Sequence, residues 1–386
     1  MTKILMLSIS DFDFLTPALI EARMLGNAGF VVEIYTLRNS GKLGEEMPGD
    51  RVTIHRWNLV TRSLPKKPFY WFLKYIEFIA RALVTGMVQR PAICVAHNLD
   101  TLIPTSMLAR LLQVKVVYRA HELSGEVAGM PAASLWRRVE RRLLKHTDAI
   151  VVPNEERGRI LMDEYGASKM PLVVMNCPHF SQPVASTLLS DWLDTLGLPG
   201  QRIALFQGRL GEDRCIDELV IAGQYLDSEN VLVLLGPSPV EYRQHLESLI
   251  QQLGLQHKVQ LHEPVPYDQL LPYTCSADLG VILYRNTDRN NYYCAPNKLF
   301  EYFMAGLPIV AANFPGLVRL VEQSGAGLVV DPTNPIQIAN AINTILGDLH
   351  LVSLMRNKSL SNAQLYNWER EGSKLLQLYQ TLSGVS

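Results

Sequence analysis

The sequence has few cysteines, no excess of charge of either sign and no long uninterrupted apolar run. Its five cysteines stand singly among 386 residues. This argues against a disulfide framework or a zinc site and suits a reducing cytoplasm. Lys and Arg number 36 against 37 for Asp and Glu, so no global basic excess exists to hold a nucleic-acid backbone. Lys74, Glu77 and Arg81 interrupt the longest apolar stretch, residues 69–88, and no segment is predicted to span a membrane.

The chain instead has a large apolar fraction, 48% of its residues, arranged as short runs that alternate with longer helical patterns. The first ten residues lack the h-region of a signal peptide and are interpreted as the first of these buried strands. Alternation of strands and helices, with uninterrupted apolar strands, is typical of parallel sheets covered on both faces. The predicted strands are residues 4–9, 31–35, 52–55, 92–95, 116–118, 149–152, 203–206, 231–235, 259–261, 279–283, 308–311 and 327–330.

The alternation breaks once, around residues 176–201, where Pro, Ser and Gly concentrate as they do in a linker. We therefore predict an α/β protein of two doubly wound domains, residues 1–180 and 181–366, that face each other across a cleft. In such sheets ligands bind beyond the carboxyl ends of the strands. After Asp348 the chain is predicted to be helical to its end.

Residues 295–312, APNKLFEYFMAGLPIVAA, are the most informative segment. Pro296 precedes a helical pattern that begins near Asn297, and the Gly-Leu-Pro sequence after it ends the helix and starts a buried strand. The first N–H groups of this helix, near Asn297 and Lys298, can bind phosphate. Glu301, one turn further on, can accept hydrogen bonds from both hydroxyls of a ribose. The alternative is a capping segment with a partly exposed Glu.

Two glycine-bearing turns follow predicted strands of the second domain. Gly208 lets the backbone approach a ligand, and Arg209 and Arg214 can reach over the turn to one diphosphate. Guanidinium groups there also stabilise a phosphate leaving group as its negative charge grows. Gly236 follows the next strand and can border the same nucleotide; a plain turn is the alternative.

Candidate groups of the first domain also follow strands. His121 and Glu122 come after residues 116–118, and His97 comes after residues 92–95. These side chains are predicted to shape the cleft, with local structural roles as the alternative. Asp11 and Asp13 follow the first strand and can touch an acceptor hydroxyl, although acidic residues before a helix are often caps.

Residues 135–145, LWRRVERRLLK, predict a helix with one basic face. Such a face can dock on anionic lipid headgroups, and a solvated helix face is the alternative. The basic side chains of this face are Arg137, Arg138, Arg141, Arg142 and Lys145. A second, basic and aromatic edge is formed by Lys66, Lys67, Tyr70 and Trp71.

Several segments resemble a known family. GRLGEDRCIDELV, VLVLLGPSP, ADLGVILY and PNKLFEYFMAGLPIVAANFPG are similar to the C-terminal domain of retaining GT-B-fold glycosyltransferases. HNLDTLIPTSMLARLLQVKVVYRAHEL and TDAIVVPNEERGRIL resemble the N-terminal domain of the same large group, the family-4-like enzymes with an E-x(7)-E motif. The resemblance implies two Rossmann-like domains, the first for the acceptor and the second for a nucleotide sugar. It also implies that residues 367–386 form a helix that packs back on the first domain.

The resemblance places functional roles on individual residues. Arg209 and Arg214 stand at the pair that holds the donor diphosphate, and Glu301 stands at the second Glu of the motif, which contacts the ribose. His121 stands at a cleft position near the donor sugar. The first Glu of the motif should fall at position 293, where this chain has Tyr293. This departure affects the contact with the donor sugar.

The sequence therefore predicts a cytoplasmic, nucleotide-sugar-dependent hexosyltransferase that retains anomeric configuration and needs no metal or other cofactor. Its acceptor is expected to be lipid-linked or a saccharide, in cell-surface polysaccharide or glycolipid synthesis, with peripheral contact at the inner face of the membrane. Two alternatives stay open: a sugar-nucleotide epimerase on the same fold, and a non-catalytic subunit for binding or assembly. Tyr293 keeps the second alternative open and weakens the first.

Overall fold

The computed structural model describes residues 1–9, 16–37, 45–65, 67–123 and 133–384. The chain divides into two compact units, Met1–Met175 with Glu371–Ser386, and Asn176–Arg370. Each unit has one sheet with helices around it. Asp11, Asp13 and Lys66 lie outside the described residues, so the predictions made for them stay predictions.

The sheet of the first unit has eight strands in the order β3-β4-β2-β1-β5-β6-β7-β8. Its strands are β1 (Lys3–Ser8), β2 (Val31–Leu37), β3 (Glu45–Gly49), β4 (Val52–Trp57), β5 (Ile93–His97), β6 (Lys115–Arg119), β7 (Ala149–Val152) and β8 (Leu172–Val173). All neighbours pair in parallel except β3 and β4. The helices are α1 (Thr16–Asn27), α2 (Pro68–Gln89), α3 (Leu99–Leu112), α4 (Ala133–Leu144) and α5 (Glu155–Asp163).

The sheet of the second unit has six parallel strands in the order β11-β10-β9-β12-β13-β14. These are β9 (Arg202–Gln207), β10 (Asn230–Leu235), β11 (Val259–His262), β12 (Leu279–Ile282), β13 (Ile309–Ala312) and β14 (Gly327–Val330). The helices are α6 (Leu188–Thr195), α7 (Ile216–Ala222), α8 (Val240–Gln252), α9 (Leu270–Cys275), α10 (Arg289–Tyr292), α11 (Asn297–Ala305), α12 (Pro315–Leu317), α13 (Pro335–Gly347) and α14 (Leu349–Leu365). The last helix is α15 (Trp368–Ser383).

The doubly wound α/β prediction is confirmed, and each predicted strand is present with its ends shifted by at most about two residues. Sequence reasoning missed β3 and β8, the two edge strands of the first sheet. Strand β3 has the sequence EEMPG. Proline and charged residues are disfavoured inside a sheet and tolerated on an edge strand, so this segment lacks the apolar pattern by which strands are predicted. The predicted linker is also wrong in part, since α6 forms inside it and buries Leu189 and Leu193, one turn apart, on a single face.

Helix α15 packs in the first unit through a buried hydrogen-bonded network. The Tyr379 hydroxyl donates to Glu21 Oε1 at 2.6 Å, and Arg119 Nε lies 2.9 Å from Glu21 Oε2. Burial raises the pKa of Glu21, against the effects of the Arg119 charge and the Tyr379 hydrogen bond. The backbone N–H of Met175 donates to Glu371 at 2.9 Å. From Glu371 on, the final helix is therefore part of the first unit, as the fold prediction required.

Among the described residues, no single helix has the length and hydropathy to cross a membrane. One bent pair, residues 335–347 with residues 349–383, meets those two criteria together, by length and composition only.

Removing one member of the buried network should destabilise the first unit. Arg119→Met should cost about 3–5 kcal/mol because it leaves the Glu21 carboxylate buried without its counter-charge. Tyr379→Phe should cost about 1 kcal/mol because it removes one hydrogen bond. Urea unfolding followed by circular dichroism measures both, with Gln380→Ala at an exposed position of the same helix as the control. Equal midpoints for Arg119→Met and Gln380→Ala would contradict the role of the network.

Candidate functional site

A pocket of about 400 Å³ lies at the carboxyl edge of the second sheet. It is bordered by the end of β9, the turn after β12 and the beginning of α11. Its lining residues are Gln207, Gly208, Tyr267, Leu270, Tyr284, Pro296, Asn297, Lys298 and Glu301. Four predicted nucleotide-binding residues, Gly208, Asn297, Lys298 and Glu301, therefore line one pocket.

Two glycine turns pack backbone to backbone beside this pocket. The N–H of Gly208 donates to the carbonyl oxygen of Leu235 at 2.9 Å, as β9 continues alongside β10. Gly208 has a φ of +115° and Gly236 a φ of +148°. A Cβ atom added to Gly236 would lie 2.1 Å from the Gly208 carbonyl oxygen, so only glycine fits there. Gly236 thus supports the Gly208 turn, and a contact between Gly236 and a nucleotide stays a prediction.

Helix α11 points its N-terminus at the pocket. Its N-cap residue, Pro296, makes no side-chain capping bond, and both Pro296 and Asn297 line the pocket wall. The first N–H groups of such a helix carry partial positive charge and attract anions. This geometry suits a phosphate group.

Lys298 and Glu301 lie one turn apart on α11 in the pocket wall, where Lys298 is buried and Glu301 is half-buried. The Nζ of Lys298 lies 3.6 Å from the centroid of the Phe206 ring. Burial lowers the pKa of Lys298 to about 7, and Arg214 acts in the same direction, while Glu301 opposes them. Burial raises the pKa of Glu301, although hydrogen bonds from Gln207 and Tyr267 and the charge of Lys298 oppose this.

Gln207, which sequence reasoning missed, holds the Glu301 carboxylate in place. Its Nε2 donates to Glu301 Oε2 at 2.5 Å, and its Oε1 accepts from the hydroxyl of Thr274 at 2.8 Å. The side chain is almost fully buried. The available signal was a polar residue at the end of an otherwise apolar strand, RIALFQ. Gln207 therefore orients Glu301, and Thr274 in turn orients Gln207.

The two arginines of the Gly208 turn occupy different places. The guanidinium carbon of Arg214 lies 4.0 Å from the centroid of the Tyr284 ring, which lines the pocket. Arg209 Nη2 instead donates to both carboxylate oxygens of Asp213, at 2.7 and 2.6 Å. Arg209 lines a neighbouring pocket of about 660 Å³. The Asp213 carboxylate therefore competes with an anionic ligand for the Arg209 guanidinium.

Tyr293 follows the short helix α10 and lies among other side chains of that segment. Its ring is 4.9 Å from the Tyr292 ring and 5.6 Å from the Arg289 guanidinium carbon. Asn291, on the same helix, accepts a hydrogen bond from Arg214 at 3.5 Å. The segment that carries Tyr293 therefore also positions Arg214.

In the first unit, His97 and His121 form a pair at the carboxyl edge of the sheet. His97 Nδ1 lies 2.9 Å from His121 Nε2, so the two rings share one proton between them. Burial lowers the pKa of His97 to about 3, with Arg119 acting in the same direction. Burial, Arg119, His97 and Arg157 lower the pKa of His121 well below its usual range. Both imidazoles are therefore neutral near pH 7.

The chain turn that carries His121 is held by Asn98. The side-chain oxygen of Asn98 accepts from the backbone N–H of His121 at 3.0 Å and of Glu122 at 3.3 Å. The Glu122 side chain is exposed.

In the parts of the chain that the structure describes, no cluster of three or more His, Cys, Asp or Glu side chains is placed to hold a metal ion.

Two family models match this chain. Residues 21–177 match the model described as "Glycosyl transferase 4-like domain", and residues 201–348 match the model described as "Glycosyl transferases group 1".

A curated relative, the D-inositol 3-phosphate glycosyltransferase of Xylanimonas cellulosilytica, is 27% identical over 62% of this chain and 58% of its own length. The chain thus spans about three fifths of that relative. The protein of the same name from Paenarthrobacter aurescens is 24% identical over 94% of this chain and 92% of its own length.

Solved structures show the same fold. Sucrose-phosphate synthase from Thermosynechococcus elongatus superposes with a TM-score of 0.82 over 100% of both chains, at 20% identity. Anabaena Alr3699/HepE, solved in complex with UDP-glucose, superposes with a TM-score of 0.74 over 99% of this chain and 100% of its own, at 15% identity. At these identities the likeness establishes the GT-B architecture.

The buried position of Lys298 should make stability depend on pH. The pKa of Lys298 is about 7 in the folded chain and near 10.4 in an unfolded one, so the unfolded state binds more protons between these values. The contribution of Lys298 to the free energy of unfolding should therefore rise with pH in this window, by up to about 1.4 kcal/mol per pH unit. Lys298→Met should stabilise the protein more at pH 6 than at pH 9.

Urea unfolding of wild type and Lys298→Met at pH 6, 7, 8 and 9 measures this difference. Lys358→Met, at an exposed position of the same unit, is the control for losing a lysine charge. A stability difference between wild type and Lys298→Met that stays constant over the four pH values would contradict the depressed pKa.

Proposed function

Because the chain belongs to the family-4-like group of GT-B glycosyltransferases, we propose that it transfers a sugar from a nucleotide-sugar donor to an acceptor hydroxyl with retention of configuration. The observation that carries the proposal is the pocket of about 400 Å³, where the start of α11 brings the buried Lys298 and the half-buried Glu301 beside the Gly208 turn. The pocket offers amide N–H groups and a lysine to a diphosphate, and a carboxylate to ribose hydroxyls.

In the proposed reaction, the chain stabilises the departing nucleoside diphosphate. As the bond between sugar and diphosphate breaks, negative charge grows on the diphosphate and is met by the α11 amides, Lys298 and Arg214. Arg209 is proposed to meet the same charge from the neighbouring turn. The acceptor hydroxyl attacks from the same face of the sugar, and the diphosphate takes its proton, so no separate protein base is needed. His121 is proposed to hydrogen-bond a sugar hydroxyl as a neutral imidazole.

The choice of donor and acceptor to test comes from the similar proteins. Alr3699/HepE was solved with UDP-glucose, so UDP-glucose is the first donor in a screen of nucleotide sugars. The curated relatives are named for D-inositol 3-phosphate, which makes inositol phosphate the first soluble acceptor. Synthesis of cell-surface polysaccharide or glycolipid is the proposed setting. Tyr293 at the first motif position favours a second candidate, a subunit that binds the nucleotide without turnover.

Substitutions in and beside the pocket should distinguish two kinds of residue. Residues that stabilise the transition state should affect kcat, and residues that bind the donor equally well throughout the reaction should affect KM. Arg214→Ala and Arg209→Ala should each lower kcat/KM about 30- to 1,000-fold, mainly through kcat, because they meet charge that grows during the reaction. Glu301→Gln should raise the donor KM about 10-fold or more with little change in kcat, because the ribose does not change during transfer. Release of UDP from UDP-glucose, with and without acceptor, measures both effects.

The matched control is Arg243→Ala on α8, whose guanidinium pairs with Glu247 and Glu263. It should leave both kinetic constants unchanged. Unchanged turnover in Arg209→Ala and Arg214→Ala would remove the diphosphate assignment. Nucleotide binding by calorimetry with no UDP release from any nucleotide sugar would favour the non-catalytic subunit.

We also propose peripheral attachment to an anionic membrane through α4. Arg138, Arg141, Arg142 and Lys145 are exposed, and Arg141 also donates to the carbonyl oxygen of Glu164, whereas Arg137 is half-buried, 6.0 Å from the Tyr165 ring. Four of the five basic residues of the predicted face are therefore exposed. The exposed apolar side chain of Phe69, at the start of α2, supplies the hydrophobic contact that such attachment needs.

Vesicle sedimentation tests the membrane proposal. Arg138→Ala/Arg142→Ala should weaken binding to vesicles with 30% phosphatidylglycerol about 30-fold, since each basic residue contributes about 1 kcal/mol near such a surface. The control pair Arg23→Ala/Arg51→Ala removes two exposed charges elsewhere on the same unit. Equal losses in the two pairs would show that only net charge matters and would refute a docking face on α4.

A further inference from the structure

A second, apolar cavity of about 190 Å³ lies at the carboxyl edge of the first sheet. Three parallel strands contribute their ends or the residue that follows: Ile9 after β1, Leu37 at the end of β2 and Trp57 at the end of β4. Ligands of doubly wound sheets bind at this edge. The cavity is therefore placed where a substrate binds, although neither the motifs nor the nucleotide pocket involve it.

The cavity wall is aromatic. The Trp57 ring lies 5.7 Å from the Phe78 ring, and Trp71 stacks on Tyr75 with ring centroids 5.4 Å apart and planes 14° apart. Phe78 is almost fully buried, whereas Trp71 is 52% exposed. The floor is thus well packed and the mouth is open, with a large apolar ring at its edge.

Two cations, Arg62 and Lys74, border this apolar space. Lys74 Nζ donates to the carbonyl oxygen of Leu64 at 2.7 Å, which holds its charge beside the cavity. Arg62 belongs to the short helical turn Val60–Ser63, and its side chain is exposed. An apolar cavity with two cations at its border matches a ligand with an apolar end and an anionic group.

Glu77 fixes the turn that carries Arg62. Its carboxylate accepts hydrogen bonds from the backbone N–H groups of Val60 and Thr61, at 2.9 and 2.8 Å, and pairs with Arg81 at 2.8 Å. These hydrogen bonds hold the pKa of Glu77 near 2 although burial acts to raise it. Both Arg62 and the apolar Leu59 are therefore held in position by α2, so this border of the cavity is built before any ligand arrives.

The cavity adjoins the histidine pair along the same sheet edge. Strand β1 neighbours β5, which ends at His97, and the Tyr75 hydroxyl donates to the carbonyl oxygen of Asp100 in the first turn of α3 at 2.5 Å. Tyr75 thus belongs both to the cavity wall and to the contact with α3. A ligand in the cavity can extend along this edge towards His97.

We propose that this cavity binds the apolar end of an amphiphilic acceptor whose phosphate lies against Arg62 and Lys74. The assignment of this ligand as the acceptor rests on the proposed transferase function; its binding does not. At about 30 Å³ for each water-sized group, 190 Å³ holds about six methylene groups. An acceptor with a short apolar segment beside a phosphate therefore fits, and a longer chain would leave the cavity through the open mouth at Trp71.

Calorimetric titration with n-alkyl phosphates of four, six, eight and ten carbons, each below its micelle concentration, tests the cavity directly. Affinity should rise about fourfold per methylene while the cavity fills and should level off after about six carbons. Octyl phosphate should bind more tightly than octyl glucoside, which lacks the anion. Inorganic phosphate should bind far more weakly than octyl phosphate; equal binding would place the site at a free-phosphate position and overturn the proposal.

Paired variants locate the binding. Trp71→Ala should weaken octyl phosphate binding at least about tenfold, whereas Phe72→Ala, 55% exposed on the same helix but outside the cavity, should change it less than about twofold. Arg62→Ala and Lys74→Met should each reduce the advantage of octyl phosphate over octyl glucoside. Equal losses in Trp71→Ala and Phe72→Ala would show adsorption to the surface of α2 and would overturn the proposal. Circular dichroism checks that each variant is folded.

The binding assay needs no donor, so the two proposals fail separately. If octyl phosphate binds as expected and no nucleotide sugar is consumed, the cavity proposal stands and the transferase proposal falls. If UDP-glucose is used and octyl phosphate neither binds nor competes with the acceptor, the cavity proposal falls alone. If octyl phosphate competes with the acceptor and not with the donor, the result supports the cavity proposal and the transferase proposal together.

Discussion

Parallel pairing of buried strands is the constraint on which the rest of the structure depends. It directs the carboxyl end of each strand to the same edge of its sheet, so residues far apart in sequence become neighbours there. In the second unit this edge holds Gln207, the Gly208 turn and the segment that leads to α11. In the first unit it holds His97, His121 and the wall of the apolar cavity. The apolar cavity and the pocket of the second unit both lie on such an edge.

Buried charge is used differently in the two units. Glu21 and Arg119 are closed off from solvent and joined by Tyr379, so their pairing ties the final helix to the first sheet. In a pocket wall of the second unit, Lys298 is buried and Glu301 is half-buried, and burial lowers the pKa of Lys298 although Glu301 opposes the shift. In the proposed function, an incoming phosphate adds a second counter-charge to Lys298. The first pair thus serves stability, and the second is proposed to bind the donor.

Local sequence predicted part of the candidate site well. Asn297, Lys298 and Glu301 belong to one helix whose start is marked by Pro296, so their shared location follows from short-range geometry alone. Gln207 could not be found in the same way, because its partner Glu301 lies 94 residues further along the chain. Arg209 was expected to reach the same diphosphate as Arg214, but its guanidinium pairs with Asp213, four residues further on in the same segment.

By itself, the sequence determined the strand–helix order, the parallel sheets and the helix start that borders the pocket of the second unit, because periodicity, glycine and proline act over a few residues. Only the tertiary structure decided which side chains meet. Trp57, Trp71 and Arg62 stand in three separate segments, and their apolar and basic characters indicate a binding cavity only once α2 has packed beside the ends of β1, β2 and β4. Such contacts depend on packing between distant segments, which no local pattern encodes.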